Sequence, residues 1–343
     1  MKRYNIAVVG ASGAVGEEIF RVLEEQNFPV GEILPLASIN SVGKTIEFAG
    51  KEYKIQELTT DVFDGKDIDI AFFSAGGSIS AKYAQYAVQA GAVVIDNTSH
   101  FRMLDRVPLV VPEVNPEDIA LWEDTGIISN PNCSTIQMVQ ILKPLDDLYG
   151  IKRVDVSTYQ ATSGAGKSGM EELVMQMKDF FAFKLDESEV KAFAHQIALN
   201  VIPQIDTPQP NGYTREEMKM VNETNKIMHS DFAVSATCVR VPVLRSHSES
   251  ITITFKEGVD VNVDKVREVL EAFENVKVID NLEKNEYPMP IIATNTDYTY
   301  VGRIRKDLFS PNIVHLWGVA DQLRVGAATN AVRIAQKWIK LED

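Results

Sequence analysis

The chain has few cysteines, a shortage of basic side chains and no long apolar run. Only Cys133 and Cys238 occur among 343 residues, which argues against a disulfide framework or a zinc knuckle and fits a reducing cytoplasm. The chain has 34 lysines and arginines and 48 aspartates and glutamates, and the resulting net charge of −14 disfavours nucleic acid and anionic membranes as partners. No apolar stretch approaches the ~20 residues that span a bilayer. We therefore expect a cytoplasmic protein that meets anionic ligands with locally placed cations.

The hydrophobic pattern changes near the middle of the chain. Up to about residue 130, short apolar strands alternate with amphipathic helices, which predicts a parallel sheet with crossover helices. After Gly150 come longer strands separated by polar insertions, which indicate an α+β region with mixed or antiparallel pairing. Apolar residues at helical spacing from 326 to 339 predict a last helix that packs on the first domain. The predicted domains are 1–130 plus 325–343, and 131–324.

A glycine-rich turn joins the first strand to the first helix. Gly10, Gly13 and Gly16 are spaced as G-x-x-G-x-x-G, a variant of the dinucleotide fingerprint. Backbone N–H groups and the helix dipole at such a turn can hold a pyrophosphate. The alternative is tight packing of strand against helix without a ligand. We predict that the turn binds a dinucleotide.

The second strand of this region ends without an acidic residue. Folds that bind NAD usually place Asp or Glu there to accept from the ribose 2′-hydroxyl. Here Ser38, Asn40, Ser41 and Lys44 follow the strand instead. Hydroxyls, an amide and a lysine suit a 2′-phosphate, although a simple polar loop would look the same. We predict that the cofactor is NADP.

Cys133 stands at the start of a predicted helix with an apolar stripe. The helix dipole and the unpaired N–H groups there favour thiolate over thiol, which makes the sulfur a nucleophile at neutral pH. The alternative is a small buried apolar side chain, the usual role of a cysteine outside a disulfide. Cys238 lies within a predicted strand, so we expect it to pack in the core.

A second glycine-rich segment, at 161–168, nearly satisfies the phosphate-loop pattern of nucleoside triphosphatases. A kinase is therefore an alternative. Against it, a nucleotide-binding turn already opens the chain, and the surrounding pattern does not continue as alternating strands and helices.

Seven segments carry polar and glycine motifs in a recognisable order: Gly10–Gly16, Asn97–Arg102, Val110–Asn115, Asn130–Thr135, Tyr159–Gly166, Arg215–Lys219 and Cys238–Glu249. Together they resemble the aspartate-semialdehyde dehydrogenase family, most closely its bacterial form, over nearly the whole chain. The cysteine segment and the last segment are specific in combination, whereas the glycine turn is shared by many dehydrogenases. The resemblance implies a Rossmann-like dinucleotide-binding domain, followed by an α+β catalytic and dimerisation domain of the glyceraldehyde-3-phosphate dehydrogenase-like type.

The resemblance also implies roles for individual residues. Cys133 would be the acyl-thioester nucleophile, His247 the proton acceptor, and Gln160 the residue that orients substrate. Substrate would be held by Arg240 and Glu216 together with Gln160, and phosphate by Arg102, Asn132 and Lys219. NADP would contact, besides the three glycines and Ser38, the residues Ser12, Ala14, Val15, Asn40, Ser41, Ser163, Gly164 and Gln322. No metal site is expected, because the remaining histidines lack acidic or cysteine partners at ligand spacing.

The implied reaction is the reversible conversion of L-aspartyl 4-phosphate and NADPH into L-aspartate 4-semialdehyde, inorganic phosphate and NADP. It feeds lysine, methionine and threonine biosynthesis, and similar enzymes are homodimers or homotetramers. One alternative is N-acetyl-γ-glutamyl-phosphate reductase, which shares the fold and the thioester chemistry but usually has a different cysteine context. The other is a catalytically inactive NADP-binding regulator, which should lack the thiol or the histidine.

Overall fold

A computed structural model describes residues 2–342. Its chain divides into two compact units. The first contains the chain up to Asn132 together with the chain from Ala327 onward, and the second is Cys133–Gly326. The second unit thus begins with the cysteine that the sequence analysis singled out.

The helices and strands follow one another along the chain, and the two longest stretches without an α-helix or strand are residues 97–126 and 182–214. The strands are β1 (Tyr4–Val9), β2 (Val30–Ala37), β3 (Thr45–Phe48), β4 (Lys51–Lys54), β5 (Gln56–Glu57), β6 (Ile70–Phe73), β7 (Val93–Asp96), β8 (Ile127–Ser129), β9 (Ile151–Gln160), β10 (Ala233–Arg240), β11 (His247–Phe255), β12 (Val276–Val278), β13 (Thr299–Lys306) and β14 (Ile313–Ala320). The α-helices are α1 (Ala14–Glu25), α2 (Gly77–Gln89), α3 (Cys133–Tyr149), α4 (Gly166–Phe181), α5 (Arg215–Met228), α6 (Val263–Ala272), α7 (Pro290–Ala293) and α8 (Thr329–Glu342).

The first unit is built on a parallel sheet with the strand order β5-β2-β1-β6-β7-β8. Side chains alternate along β1, so Ile6 and Val8 join a core with α1 and α8, while Ala7 and Val9 join a core with α2. Strand β1 is central, with β2 on one side and β6 on the other, so the strand order reverses there. Ligands of such sheets bind at the carboxyl ends of the strands at this reversal. The predicted Rossmann-like domain is confirmed.

The second unit contains a mixed sheet with the order β10-β9-β11-β14-β13-β12. Strands β9 and β10 are parallel, whereas β11 is antiparallel to both β9 and β14. Helices α3, α5 and α6 cover one face through a buried apolar cluster that includes Met138, Met220 and Leu270. The opposite face carries the ring pair Tyr159 and Trp317, with ring centroids 5.2 Å apart. The predicted α+β unit with mixed pairing is confirmed.

Two predicted elements differ in detail from the structure. The sequence pattern from 232 to 243 predicts one strand around Cys238, but β10 ends at Arg240, and the proline at position 242 has no N–H for a sheet ladder. The last helix begins at Thr329 and is preceded by a π-helical turn, Arg324–Ala328. Within the described part of the chain, no helix is both long and apolar enough to cross a membrane.

Candidate active site

Three strand ends meet in the second unit and bring distant residues together. Strands β9 and β10 run parallel and end in register at Gln160 and Arg240. Strand β11 runs the other way and starts at His247, beside the end of β9. All three side chains are buried. The mixed sheet therefore places an amide, a guanidinium and an imidazole close together where these three strands end or begin.

Cys133 is the first residue of α3 and is partly exposed. Gly326 packs directly against it, since a Cβ atom on Gly326 would lie 2.7 Å from the Cys133 Cβ. Only a glycine allows this close approach. Sequence analysis missed Gly326, because a single glycine after a strand and before a helix has many ordinary explanations. Cys238 by contrast is fully buried in β10, where burial raises the pKa of its thiol, as expected for a core residue.

His247 is fully buried and is oriented by a backbone amide. The N–H of Ala161 donates to His247 Nδ1 at 3.0 Å, so the proton of the neutral ring lies on Nε2. Gln160 Nε2 also lies 3.5 Å from His247 Nε2, but a neutral ring cannot accept at both nitrogens, and the shorter Ala161 contact has the better-defined donor. Burial, reinforced by the charge of Arg240, lowers the pKa of His247 to about 3. The ring is therefore neutral at physiological pH and presents an Nε2–H donor.

Polar contacts link Gln160 to the first turn of α5. Gln160 accepts from the Thr158 hydroxyl at 3.0 Å and donates to Glu216 at 3.2 Å. Glu216 also pairs with Lys219 at 3.0 Å, and Lys219 pairs with Asp206 at 2.8 Å. Burial disfavours the charge on Lys219, but these two carboxylates outweigh it and raise the pKa of the lysine. Lys219 is thus held between two acids.

Arg240 is buried at the end of β10. Its Nη1 donates to the Ala161 carbonyl at 2.6 Å, and its guanidinium lies 5.8 Å from the centre of the Phe193 ring. Burial lowers the pKa of Arg240, while the nearby Glu216 opposes this effect. Ala161 therefore positions both His247 and Arg240 through its backbone alone. Neither Ala161 nor Phe193 was identified from the sequence, because neither residue carries a polar side chain.

Gly164 lies where Arg240 and His247 border the same small space. A Cβ atom at this position would come within 2.7 Å of Arg240 Nη1 and 3.3 Å of His247 Nε2. The turn that carries Gly164 is fixed by Gln322, which donates to the Ser163 hydroxyl and accepts from the Ser246 N–H at 2.7 Å. The segment whose spacing resembled a phosphate loop thus forms a short 3-10 turn directly after β9, a strand of the mixed sheet. The kinase alternative is not supported.

The glycine turn of the first unit fits the backbone-based binding of a pyrophosphate. Gly10 has φ of 92°, in the left-handed region, and a Cβ on Gly16 would lie 2.2 Å from the Gly10 carbonyl oxygen. Helix α1 begins at Ala14, within this glycine segment. The Ser12 and Ser41 hydroxyls lie 3.0 Å apart beside it. The residues present therefore suit a dinucleotide at the end of β1.

The predicted phosphate ligands are divided between the two units. Arg102 and Asn132 are buried in the first unit, and Lys219 belongs to the second. Arg102 is held by the carbonyls of Asn130 and Asn97, at 2.9 and 2.8 Å. These bonds fix the direction of its guanidinium.

Comparisons with known proteins identify the class of enzyme. Residues 5–122 match the family model "Semialdehyde dehydrogenase, NAD binding domain", and residues 142–325 match "Semialdehyde dehydrogenase, dimerisation domain". Together these matches cover most of the chain, and they agree with the parallel sheet, the glycine turn and the mixed sheet described above. The fold and site define a semialdehyde dehydrogenase, an oxidoreductase with a nicotinamide cofactor.

Relatives narrow this class further. The chain is 64% identical over 342 residues to an aspartate-semialdehyde dehydrogenase of Campylobacter jejuni, covering 100% of this chain and 99% of the relative. Aspartate semialdehyde dehydrogenase II of Vibrio cholerae, solved as a complex with ASA, matches with a TM-score of 0.95 and 46% identity over 99% of both chains. The enzyme of Candida albicans, solved with NADP, matches with a TM-score of 0.75 and 26% identity over 98% of both chains. The chain belongs to the aspartate-semialdehyde dehydrogenase family.

Proposed function

We propose that the chain converts L-aspartyl 4-phosphate into L-aspartate 4-semialdehyde and inorganic phosphate, reversibly and with NADPH, through a thioester on Cys133. One observation carries the proposal. The Arg240 guanidinium and the His247 Nε2–H border a single small space over Gly164, in the unit that Cys133 opens. A carboxylate anchor, an oxyanion donor and a nucleophile are the groups that this reaction needs.

In the biosynthetic direction, the Cys133 thiolate attacks the acyl-phosphate carbon, and phosphate leaves with the electrons of the broken C–O bond. The nicotinamide, when bound, supplies the hydride that reduces the thioester. The resulting alkoxide then expels the Cys133 thiolate and becomes the aldehyde. In reverse, the thiolate adds to the aldehyde to give the same alkoxide. Because a thiolate both enters and leaves, neither direction requires a proton transfer at the substrate oxygen.

His247 would stabilise that alkoxide by donating from Nε2. The family resemblance implied that His247 accepts a hydroxyl proton. This role would place the ring proton on Nδ1, where it would face the Ala161 N–H. The tautomer that Ala161 selects favours the donor role, in which a preformed hydrogen bond meets the charge that develops in the reaction. A kcat/KM profile without an inflection from His247 near pH 6.5 would show that the ring stays neutral, which the donor role requires.

Arg240 would bind the α-carboxylate of the substrate, and Glu216 would attract its ammonium group. The planar guanidinium fork can hold a carboxylate in a bidentate manner. The phosphate would be met by Arg102, Asn132 and Lys219. Since Lys219 is paired with Asp206 and Glu216, its contribution to phosphate binding would be partly offset by their charges.

NADP preference is supported by the loop that follows β2. That loop offers Ser38, Asn40 and Ser41, and no acidic side chain that would repel a 2′-phosphate. The pyrophosphate would lie on the turn formed by Gly10 to Gly16, and Ser163, Gly164 and Gln322 would be further cofactor contacts. A kcat/KM for NADP at least about tenfold above that for NAD is expected, a difference of 1.4 kcal/mol. Equal values would show that the polar loop does not read the 2′-phosphate.

Oligomerisation as a homodimer or homotetramer, in the cytoplasm, completes the proposal. The match to a dimerisation domain and the sheet face that carries Tyr159 and Trp317 support association through the second unit. Sedimentation equilibrium would distinguish two copies from four. A monomer at micromolar concentration would contradict this part of the proposal.

The activity is tested by following NADPH formation with aspartate semialdehyde and, in parallel, with N-acetylglutamate semialdehyde, each with and without phosphate. We expect phosphate-dependent turnover with the first substrate only. Turnover with the second would favour the longer-chain reductase. No turnover with either would favour a non-catalytic NADP-binding protein.

A further inference from the structure

A buried acid lies behind the proposed site and has no role in the mechanism above. Glu249 is fully buried in β11, two residues after His247 and on the same face of the strand. Its neighbours across the sheet are Thr158 on β9 and Gly318 on β14. No described residue forms an ion pair with Glu249, and none places a donor at regular hydrogen-bond distance and angle from either of its carboxyl oxygens. An ionised carboxylate here would be uncompensated, at a cost of several kcal/mol.

Gln137 is the polar side chain next to this acid. It is fully buried on α3, four residues and about one helical turn after Cys133. Its Nε2 points to the His247 carbonyl at 3.5 Å, and no described residue donates to its Oε1. Burial raises the pKa of Glu249 well above its usual value, and a hydrogen bond with the Gln137 side chain opposes this only in part. The two side chains therefore adjoin each other, and neither the Glu249 carboxyl oxygens nor Gln137 Oε1 has a donor at regular geometry among the described residues.

A proton on the carboxyl group satisfies both side chains at once. We propose that Glu249 is held as the neutral acid and donates its O–H to Gln137 Oε1, bracing the start of the nucleophile helix against the start of the histidine strand. Gln137 then joins three points: the Glu249 acid, the His247 carbonyl and the helix that begins at Cys133. Glu249 is a positioning residue, since it acts through Gln137 and touches no reacting atom.

The pairing makes two substitutions at the same position differ. Glu249→Gln keeps the shape and offers an amide N–H in place of the O–H, so kcat should stay within about threefold of the parent value. Glu249→Ala removes the donor and should lower kcat about 10- to 100-fold through misplacement of Cys133 and His247, with smaller changes in KM. It should also slow alkylation of Cys133.

Ile251→Ala is the matched control for the cavity. Ile251 is fully buried on the same strand and face as Glu249 but two residues further from His247, and its side chain has no polar group. Its truncation should lower stability and leave the alkylation rate of Cys133 close to that of the parent protein. A similar loss of alkylation rate in Ile251→Ala and Glu249→Ala would mean that packing alone is responsible, and would overturn the proposal.

Infrared spectroscopy tests the neutral acid directly and does not depend on activity. At neutral pH we expect the carbonyl stretch of a protonated, desolvated carboxyl group in the parent protein and its loss in Glu249→Gln. Absence of that band, or a Glu249→Gln variant as impaired as Glu249→Ala, would overturn the proposal. The predicted changes in kcat rest on the proposed function, whereas the infrared band does not. If the band is present while aspartate semialdehyde is not turned over, the proposed function fails and the protonated acid stands.

Discussion

The cofactor turn of the first unit and the candidate catalytic site of the second are built in opposite ways. The turn offers backbone groups within seven consecutive residues, Gly10 to Gly16, where a side chain on Gly16 would collide with the backbone of Gly10. The candidate catalytic site draws on side chains far apart in the chain, among them Gln160, Arg240 and His247, which lie where β9, β10 and β11 meet. A backbone site is specified by local conformation. A side-chain site is specified by topology, and it therefore depends on residues that carry no chemistry themselves, such as Ala161 and Gly326.

Removing the nucleophile should have the largest effect. Cys133→Ala should lower turnover by about 10⁴-fold or more, because no other group in the proposed mechanism forms the thioester. A thiol-alkylating agent should label Cys133 before the fully buried Cys238 and be slowed by substrate, as peptide mass spectrometry would show. Labelling of Cys238 in step with loss of activity would contradict the assignment.

Substitution of the carboxylate anchor should come next. Arg240→Lys loses the bidentate fork and the bond to the Ala161 carbonyl. A lost charged partner in a buried site costs about 2–5 kcal/mol, or about 30- to several-thousand-fold in kcat/KM for the semialdehyde. The KM for phosphate should change comparatively little, and Lys219→Ala should show the reverse pattern. If Arg240→Lys mainly raises the KM for phosphate, the assignment of Arg240 to the carboxylate and Lys219 to the phosphate is wrong.

A pair of glycine substitutions tests the contrast between the two sites. In Gly16→Ala the new methyl group would meet the Gly10 carbonyl, so cofactor affinity should fall by about 1–3 kcal/mol while the KM for semialdehyde holds. In Gly164→Ala the methyl group would meet Arg240 and His247, so the kcat/KM for the semialdehyde should fall as well. Calorimetric titration of NADP and steady-state kinetics measure the two effects. If both variants lose only cofactor affinity, the contrast between the sites is wrong.

The dependence of stability on pH should be the smallest of these effects. His247 stays neutral in the folded state down to about pH 3, while the unfolded chain protonates it below about pH 6.5. The unfolded state therefore binds more protons between these values, so the contribution of His247 to stability is present above pH 6.5 and is lost as pH falls. Urea unfolding at pH 7.5 and 5.5 should show a smaller acid loss in His247→Gln. An equal loss in both proteins would mean that His247 is not held neutral.

The same contrast explains what the sequence could predict. Periodicity and glycine spacing were sufficient for the Rossmann-like sheet and the last helix, since both depend on local pattern. The bond from Ala161 to His247 joins residues 86 positions apart, and no spacing rule predicts it. The pairing of Lys219 with Asp206 likewise depends on how the long segment before α5 folds back. Family resemblance supplied candidate roles for His247 and Lys219, and the structure supplied their hydrogen-bond and ion-pair partners.

A single-turnover experiment without phosphate tests the central claim most directly. The protein, NADP and aspartate semialdehyde are mixed, quenched in acid and digested, and the peptides are analysed by mass spectrometry. We predict one equivalent of NADPH per site and an aspartyl thioester on the peptide that contains Cys133, with continued turnover only after phosphate is added. Continued NADPH formation without phosphate, or an adduct on any other residue, would contradict the account.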